Sequence, residues 1–154
     1  MNLIYYENGR LKYKGQVVNG EPYGYGTGYW EDGETVWYEG EFVDGKPQNY
    51  GKFYYNDGGL RYEGQHKDFQ YLGRGKEYFR NGNLRFERTQ RGGRYFFYTS
   101  RLFVKGKLYY EDGRIRYEGT FTGDKSYKFD EGIEYLEDGT IQLHVREENY
   151  HETL

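Results

Sequence analysis

Between Arg88 and Lys105 the chain interleaves bases with rings: Arg88, Arg91 and Arg94 precede Tyr95, Phe96, Phe97 and Tyr98, and Arg101 and Lys105 follow. Guanidinium groups and aromatic rings on one ribbon can clamp phosphates or carboxylates, stack on bases, or anchor a protein interface. Arg91, Arg94, Tyr95, Phe97, Tyr98 and Arg101 therefore form a first candidate contact patch. The bland counterpart is a long hairpin whose rings are core and whose bases point to water. A second candidate is a row of paired rings, Tyr5/Tyr6, Tyr29/Trp30, Tyr54/Tyr55, Tyr78/Phe79 and Tyr109/Tyr110. Adjacent strand residues point to opposite faces, so one ring of each pair joins a buried row and the other lies on the opposite face. Trp30, Tyr55 and Tyr110 are the members expected to meet a partner there, unless the rings simply pack across strands.

Charge divides along the chain. The net charge is −3, yet residues 85–107 carry seven bases against Glu87 alone, for +6. Residues 130–154 carry eight acids against Arg146, for −7. Such a chain offers a basic segment and an acidic end to different partners. The acidic end either steers a basic partner or serves as a solvated edge cap.

Catalysis finds little support. Cysteine is absent, which excludes disulfides and thiolate metal sites and allows a reducing compartment. Ser100 and Ser126 lie in no Gly-x-Ser-x-Gly elbow, and His66, His144 and His151 have no metal-ligand spacing. Glu31/Asp32 and Glu111/Asp112 sit at turn starts, where Asp serves the turn. Gly24-Tyr25-Gly26-Thr27-Gly28 has neither the helix nor the Lys-Ser/Thr of a phosphate loop. No enzyme activity, cofactor or metal is expected. Neither a signal peptide nor a run of about 20 apolar residues is present, so a soluble cytoplasmic chain is expected.

The elements that must position these residues follow from a repeat. A ring pair, an Asn-Gly or Asp-Gly turn and a Tyr-x-Gly-like step recur six times, with turn glycines Gly9, Gly33, Gly58, Gly82, Gly113 and Gly139 spaced 24, 25, 24, 31 and 26 residues apart. Alanine is absent, while 24 glycines and 33 aromatics favour strands and turns. Each Asn-Gly or Asp-Gly pair predicts a type I′ hairpin turn. After three of these turns come Leu11 and Tyr13, Leu60 and Tyr62, and Ile115 and Tyr117, the period of two of a strand with one buried face. Lys12, Arg61 and Arg116 between them are expected to face water. Asn19-Gly20, Asp44-Gly45 and Thr122-Gly123-Asp124 mark second turns, giving two strands per repeat. Gly15, Gly40, Gly64 and Gly119 are expected to leave room for a neighbouring ring. One domain spans 1–154, with repeats near 5–28, 29–53, 54–77, 78–108 with an irregular insert, 109–134, and a cap at 135–154.

Tyr13-Lys14-Gly15-Gln16-Val17-Val18-Asn19-Gly20-Glu21-Pro22 with Gly26, and Tyr38-Glu39-Gly40-Glu41-Phe42-Val43-Asp44-Gly45-Lys46-Pro47 with Gly51, resemble MORN repeats. The recurrent Tyr-Tyr-x-Asp/Asn-Gly-x-Leu/Ile-Arg-Tyr-Glu-Gly string resembles the bacterial variant of the YwqK-like antitoxin family. The resemblance implies an all-β, elongated single-layer antiparallel meander of about six stacked hairpins. It also implies a protein-binding platform, with an immunity or antitoxin-like antagonist of a toxin or defence effector as its sharpest form. The alternative is a scaffold docking anionic membrane lipid, or nucleic acid, through residues 88–107. Repeat four departs from the pattern at Arg88, where glycine is expected, so regular stacking is in doubt from Thr89 to Lys107.

Overall fold

Every repeat folds back at its Asp or Asn because that side chain caps its own turn. Oδ1 of Asn8, Asp57, Asn81, Asp112 and Asp138 accepts the backbone N–H two residues on, at 2.8–2.9 Å. These hydrogen bonds hold the Asp112 and Asp138 carboxyls below the usual range. The turn differs from the expected type I′. Gly9 N–H donates to the Tyr6 carbonyl, and Gly9 has φ +84° while Asn8 stays at negative φ. The glycine thus closes the turn as its fourth residue, an arrangement that pairs with a bulge in the strand beyond. Type I′ geometry belongs to the second turns, at Asn19-Gly20 (φ 52° and 80°) and Asp44-Gly45 (51° and 81°). The third such turn holds Asp68-Phe69, with the exposed Phe69 at φ 62°. A left-handed aromatic is strained by about 1–2 kcal/mol, so Phe69→Gly should raise the denaturant midpoint, with a net gain of up to about 1 kcal/mol after the entropy of the added glycine.

The computed structural model describes the backbone of residues 1–94, 102–122 and 128–146, and the side chains of all of these except 90–94 and 102–103. Among the described residues there are twelve strands and no helix. The chain divides into two compact units, Met1–Asn83 and Leu84–Leu154. The first holds β1 (Asn2–Tyr5), β2 (Leu11–Val18), β3 (Glu21–Tyr29), β4 (Val36–Val43), β5 (Lys46–Tyr54), β6 (Leu60–Lys67) and β7 (Gln70–Tyr78). The second holds β8 (Leu84–Arg94), β9 (Leu102–Tyr109), β10 (Ile115–Thr122), β11 (Lys128–Tyr135) and β12 (Ile141–His144). Within each unit, consecutive strands pair antiparallel in chain order, the expected all-β open meander of hairpins.

A single sheet has no second layer to bury its rings, and the glycines supply the solution. Gly15 pairs with Gly26, Gly40 with Gly51, Gly64 with Gly75 and Gly119 with Gly132. The Tyr13, Tyr38 and Tyr62 rings lie flat over Gly26, Gly51 and Gly75, where a Cβ would come within 2.2–2.3 Å of the phenol oxygen. The ring accommodated is therefore the repeat's own tyrosine, not a neighbour's. Its hydroxyl donates to the carbonyl of the residue three positions on: Tyr13 to Gln16, Tyr38 to Glu41, Tyr62 to Gln65 and Tyr117 to Thr120. The side chain of that same residue fills the bulge opposite, with Gln16, Glu41, Gln65 and Thr120 accepting the N–H of Tyr25, Tyr50, Arg74 and Glu131. Burial pushes the Tyr38 hydroxyl well above its ordinary value and that of Tyr117 up to about 12.

Rings of successive repeats then pack edge to face. In the first unit Tyr13, Tyr38, Phe42, Phe53 and Tyr62 form the core, with Tyr71 stacked 3.9 Å from Tyr62. In the second, Phe86, Val104, Tyr117 and Phe121 do so, with Phe129 stacked 4.1 Å from Tyr117. Repeat four substitutes a different pair of residues: Phe86 has no hydroxyl to bond, and the buried Arg88 places its guanidinium 5.4 Å over that ring. On either side of the residues that lie outside the described ones, β8 pairs with β9 out to Arg94↔Leu102, through register shifts after Arg88 and Gln90. The predicted turn at Gly123-Asp124 lies outside the described residues. At the last strand, Arg146 pairs with the buried Asp130 at 3.0 Å and His144 with Glu134 at 2.8 Å, while Ile141, Leu143 and Val145 are exposed. The remainder of the polar segment expected to cap this edge, from Glu147 on, lies outside the described residues.

His66 occupies the core position that Phe42 fills in the previous repeat. Its Nε2 lies 2.9 Å from the Tyr38 hydroxyl, and its buried Nδ1 has no partner. Because the Tyr38 hydroxyl already donates to Glu41, His66 is best satisfied as the neutral Nε2–H tautomer. Burial lowers its pKa. A depressed folded-state pKa means stability is full above the unfolded value of about 6.5 and falls as pH drops below it. The thermal midpoint should therefore fall between about pH 7.5 and about pH 5, and His66→Phe should flatten that slope.

Candidate functional site

The bulge after each first turn decides which side chains share the ring face. Tyr5 pairs with Leu11 and Ile4 with Tyr13, which leaves Lys12 as the extra residue. Trp37, Arg61 and Arg116 are extra in the same way in β4, β6 and β10. Both residues of such a bulge point to one side of the sheet. Lys12, Arg61 and Arg116 are accordingly exposed yet not simply solvated: they lie 5.5, 5.7 and 5.6 Å over the rings of Tyr6, Tyr55 and Tyr110. Arg80 and Arg114 add second guanidinium groups to Tyr55 and Tyr110, at 4.6 and 5.5 Å.

In repeats one, three and five the second ring of the pair is a staple between repeats. Tyr6, Tyr55 and Tyr110 donate their hydroxyls to the carbonyls of Tyr29, Tyr78 and Tyr135, at 2.5, 2.6 and 2.7 Å. Trp30 and Phe79 have no hydroxyl to do this. Tyr55→Phe should cost about 0.5–1.5 kcal/mol, read as a lower denaturant midpoint with unchanged slope. The first ring faces the other way. Tyr54 lies among Glu39, Lys52, Glu63 and Tyr25; burial, and then the carboxylates against the opposing Lys52, raise its hydroxyl pKa, and Lys52 faces Glu63 at 4.0 Å. The two-sided division of the pairs is as read from the sequence. Trp30, Tyr55 and Tyr110, however, belong to the side of the core tyrosines, and the opposite side carries the first rings with Tyr25.

Of the predicted contacts, Tyr55 and Tyr110 are thus occupied by hydrogen bonds and by the chain's own cations. Trp30 differs. It is 41% exposed, and with Trp37, 6.3 Å away and tilted by 53°, it walls an open groove of about 650 Å³. Tyr6, Tyr13, Pro22 and Phe42 complete its apolar lining, and Lys12 and Glu31 supply its charges. Arg91 and Arg94 lie on β8, where only the backbone is described; Tyr95, Phe97, Tyr98 and Arg101 lie outside the described residues. Trp37 was missed in the sequence because it stands where repeats one, three and five hold a base, a signal visible on aligning the repeats. Among the described residues no group of three His, Asp or Glu side chains is placed to hold a metal ion, and no helix is long and apolar enough to cross a membrane.

Trp30 and Glu31 of the groove lie within a stretch that matches a known repeat, and Tyr6, Lys12 and Trp37 flank it. Residues 13–35, 38–60 and 62–84 match the family model described as MORN repeat. All three open on the core tyrosine or its β-bulge neighbourhood, so the ring laid on glycine and the capped turn are the physical content of the MORN unit here. MORN repeats are often protein- or membrane-binding modules. No curated protein is a significant match to the chain.

Proposed function

We propose that this chain is a non-catalytic module that captures another protein and occludes it, in the manner of an immunity protein or antitoxin-like antagonist acting in the cytoplasm. The observation that carries the reading is the Trp30/Trp37 groove on the ring side of the MORN repeats. A concave patch built of Trp and Tyr offers large apolar area at small rotamer cost, the composition of interface anchors. Trp30 is the anchor, Tyr6 and Tyr13 the walls beside it, and the basic residues between Arg88 and Lys107 a second contact that steers a carboxylate-bearing partner.

The test is capture on the immobilised chain at low and at moderate salt, with anionic vesicles and single-stranded nucleic acid assayed in parallel. The reading expects one polypeptide at equal stoichiometry, retained as salt rises and lost in Trp30→Ala. Binding of vesicles or nucleic acid alone, falling steeply with salt, would replace it with docking of anionic lipid or nucleic acid through residues 88–107.

A further inference from the structure

Comparison of equivalent repeats shows what the groove lacks. In repeats one, three and five the bulge residue is a base over the second ring of the pair: Lys12 on Tyr6, Arg61 on Tyr55, Arg116 on Tyr110. In repeat two the base is replaced by Trp37 and the ring by Trp30, and among the described residues no cation lies over either indole. The place that the other repeats fill with a base therefore holds an indole pair, Trp30 exposed and Trp37 partly buried against the core, beside the Glu31 carboxylate, which has no ion pair among the described residues. Burial, and then Glu31 and Asp32, push the neighbouring Tyr6 hydroxyl upward, which places both carboxylates near this end of the groove. Lys12 keeps its ammonium over Tyr6 and leaves the indoles to an incoming group.

We infer that the groove receives an arginine side chain of a partner polypeptide, its guanidinium stacked on Trp30 or Trp37 and hydrogen-bonded to Glu31. Trp is the strongest cation–π ring, and a guanidinium both stacks on it and forks onto a carboxylate, which a quaternary ammonium does not do. Repeats three and five already place guanidinium groups on the equivalent rings. The groove thus completes in trans, with a partner's cation, the arrangement its neighbours complete in cis. The inference deepens the protein-capture reading and rests on it.

The two tryptophans give two indole N–H resonances, so binding is read at the site itself. The full chain is titrated with a five-residue peptide bearing a central arginine, with its citrulline counterpart, and with phosphocholine. Saturable shifts of both indoles are expected with the arginine peptide, about tenfold weaker with citrulline, which has the shape without the charge. Trp37→Arg restores the residue type of the other repeats, so it should fold, keep its amide dispersion and lose the response by filling the site from within. Glu31→Gln should weaken arginine binding and leave citrulline unchanged. Equal binding of the two peptides, no shift with either, a response that survives in Trp37→Arg, or phosphocholine acting more strongly than arginine would each overturn the inference. The titration needs no partner: a silent groove beside successful capture rejects this inference alone, and a responsive groove without capture rejects the broader reading.

Discussion

Tyr38→Ala should destabilise the first unit by about 3–5 kcal/mol, a large share of the roughly 5–15 kcal/mol that holds a typical domain. Tyr38 is fully buried, and its ring contacts Phe42, Phe53, Trp37 and His66 at centroid distances of 5.1, 4.7, 5.8 and 5.3 Å. Removing it opens a cavity at the centre of four aromatic contacts and frees the Glu41 carbonyl. It also takes the hydroxyl from His66 Nε2, which would then have both ring nitrogens buried without partners. Tyr38→Phe separates these effects, since it keeps the packing and removes only the hydrogen bonds, at about 1–2 kcal/mol. Equilibrium urea unfolding of both variants measures the difference. A loss in Tyr38→Ala no larger than that in Tyr38→Phe would show that ring packing does not hold the repeats together.

Gly51→Val should be comparably severe. A Cβ at Gly51 would lie 2.3 Å from the Tyr38 hydroxyl oxygen and 2.5 Å from its ring carbons, distances no side chain occupies. The ring cannot slide away freely, because its hydroxyl is tied to the Glu41 carbonyl, and the paired Gly40 is as crowded, a Cβ there meeting the Gly51 Cα at 2.6 Å and the Tyr38 hydroxyl at 2.7 Å. The methyl of Gly51→Ala should already cost about 1–3 kcal/mol, and valine more, through overpacking. Gly58→Ala is the control, since a Cβ there meets nothing within 4 Å and only the strain of φ +92° is tested. Thermal unfolding of the three variants should rank valine at 51 lowest and alanine at 58 nearest the parent. Equal losses at 51 and 58 would mean that backbone strain, not the ring laid on glycine, is what these glycines serve.

Much of this architecture was legible in the chain itself. The recurrence of Asp/Asn-Gly every 24–31 residues, the alternation of Leu11 with Tyr13 and Leu60 with Tyr62, and the absence of alanine were enough to read an antiparallel meander of hairpins and to place its core tyrosines. That information is local, since turn chemistry and a period of two act between residues a few positions apart. The turn type was misread because Asp-Gly satisfies two geometries, one with both residues at positive φ and one with the glycine alone, and the pairing of the flanking strands selects between them. The same pairing inserts the bulge residue that turns Lys12, Arg61 and Arg116 onto the ring face, and no alternation pattern contains an inserted residue. Composition and period therefore specify strands, turns and the buried tyrosine row. Which face each paired ring takes, that the tyrosine covers its own repeat's cross-strand glycine, and that Trp30 and Trp37 meet in an open groove depend on register between strands, where a shift of one residue exchanges the faces.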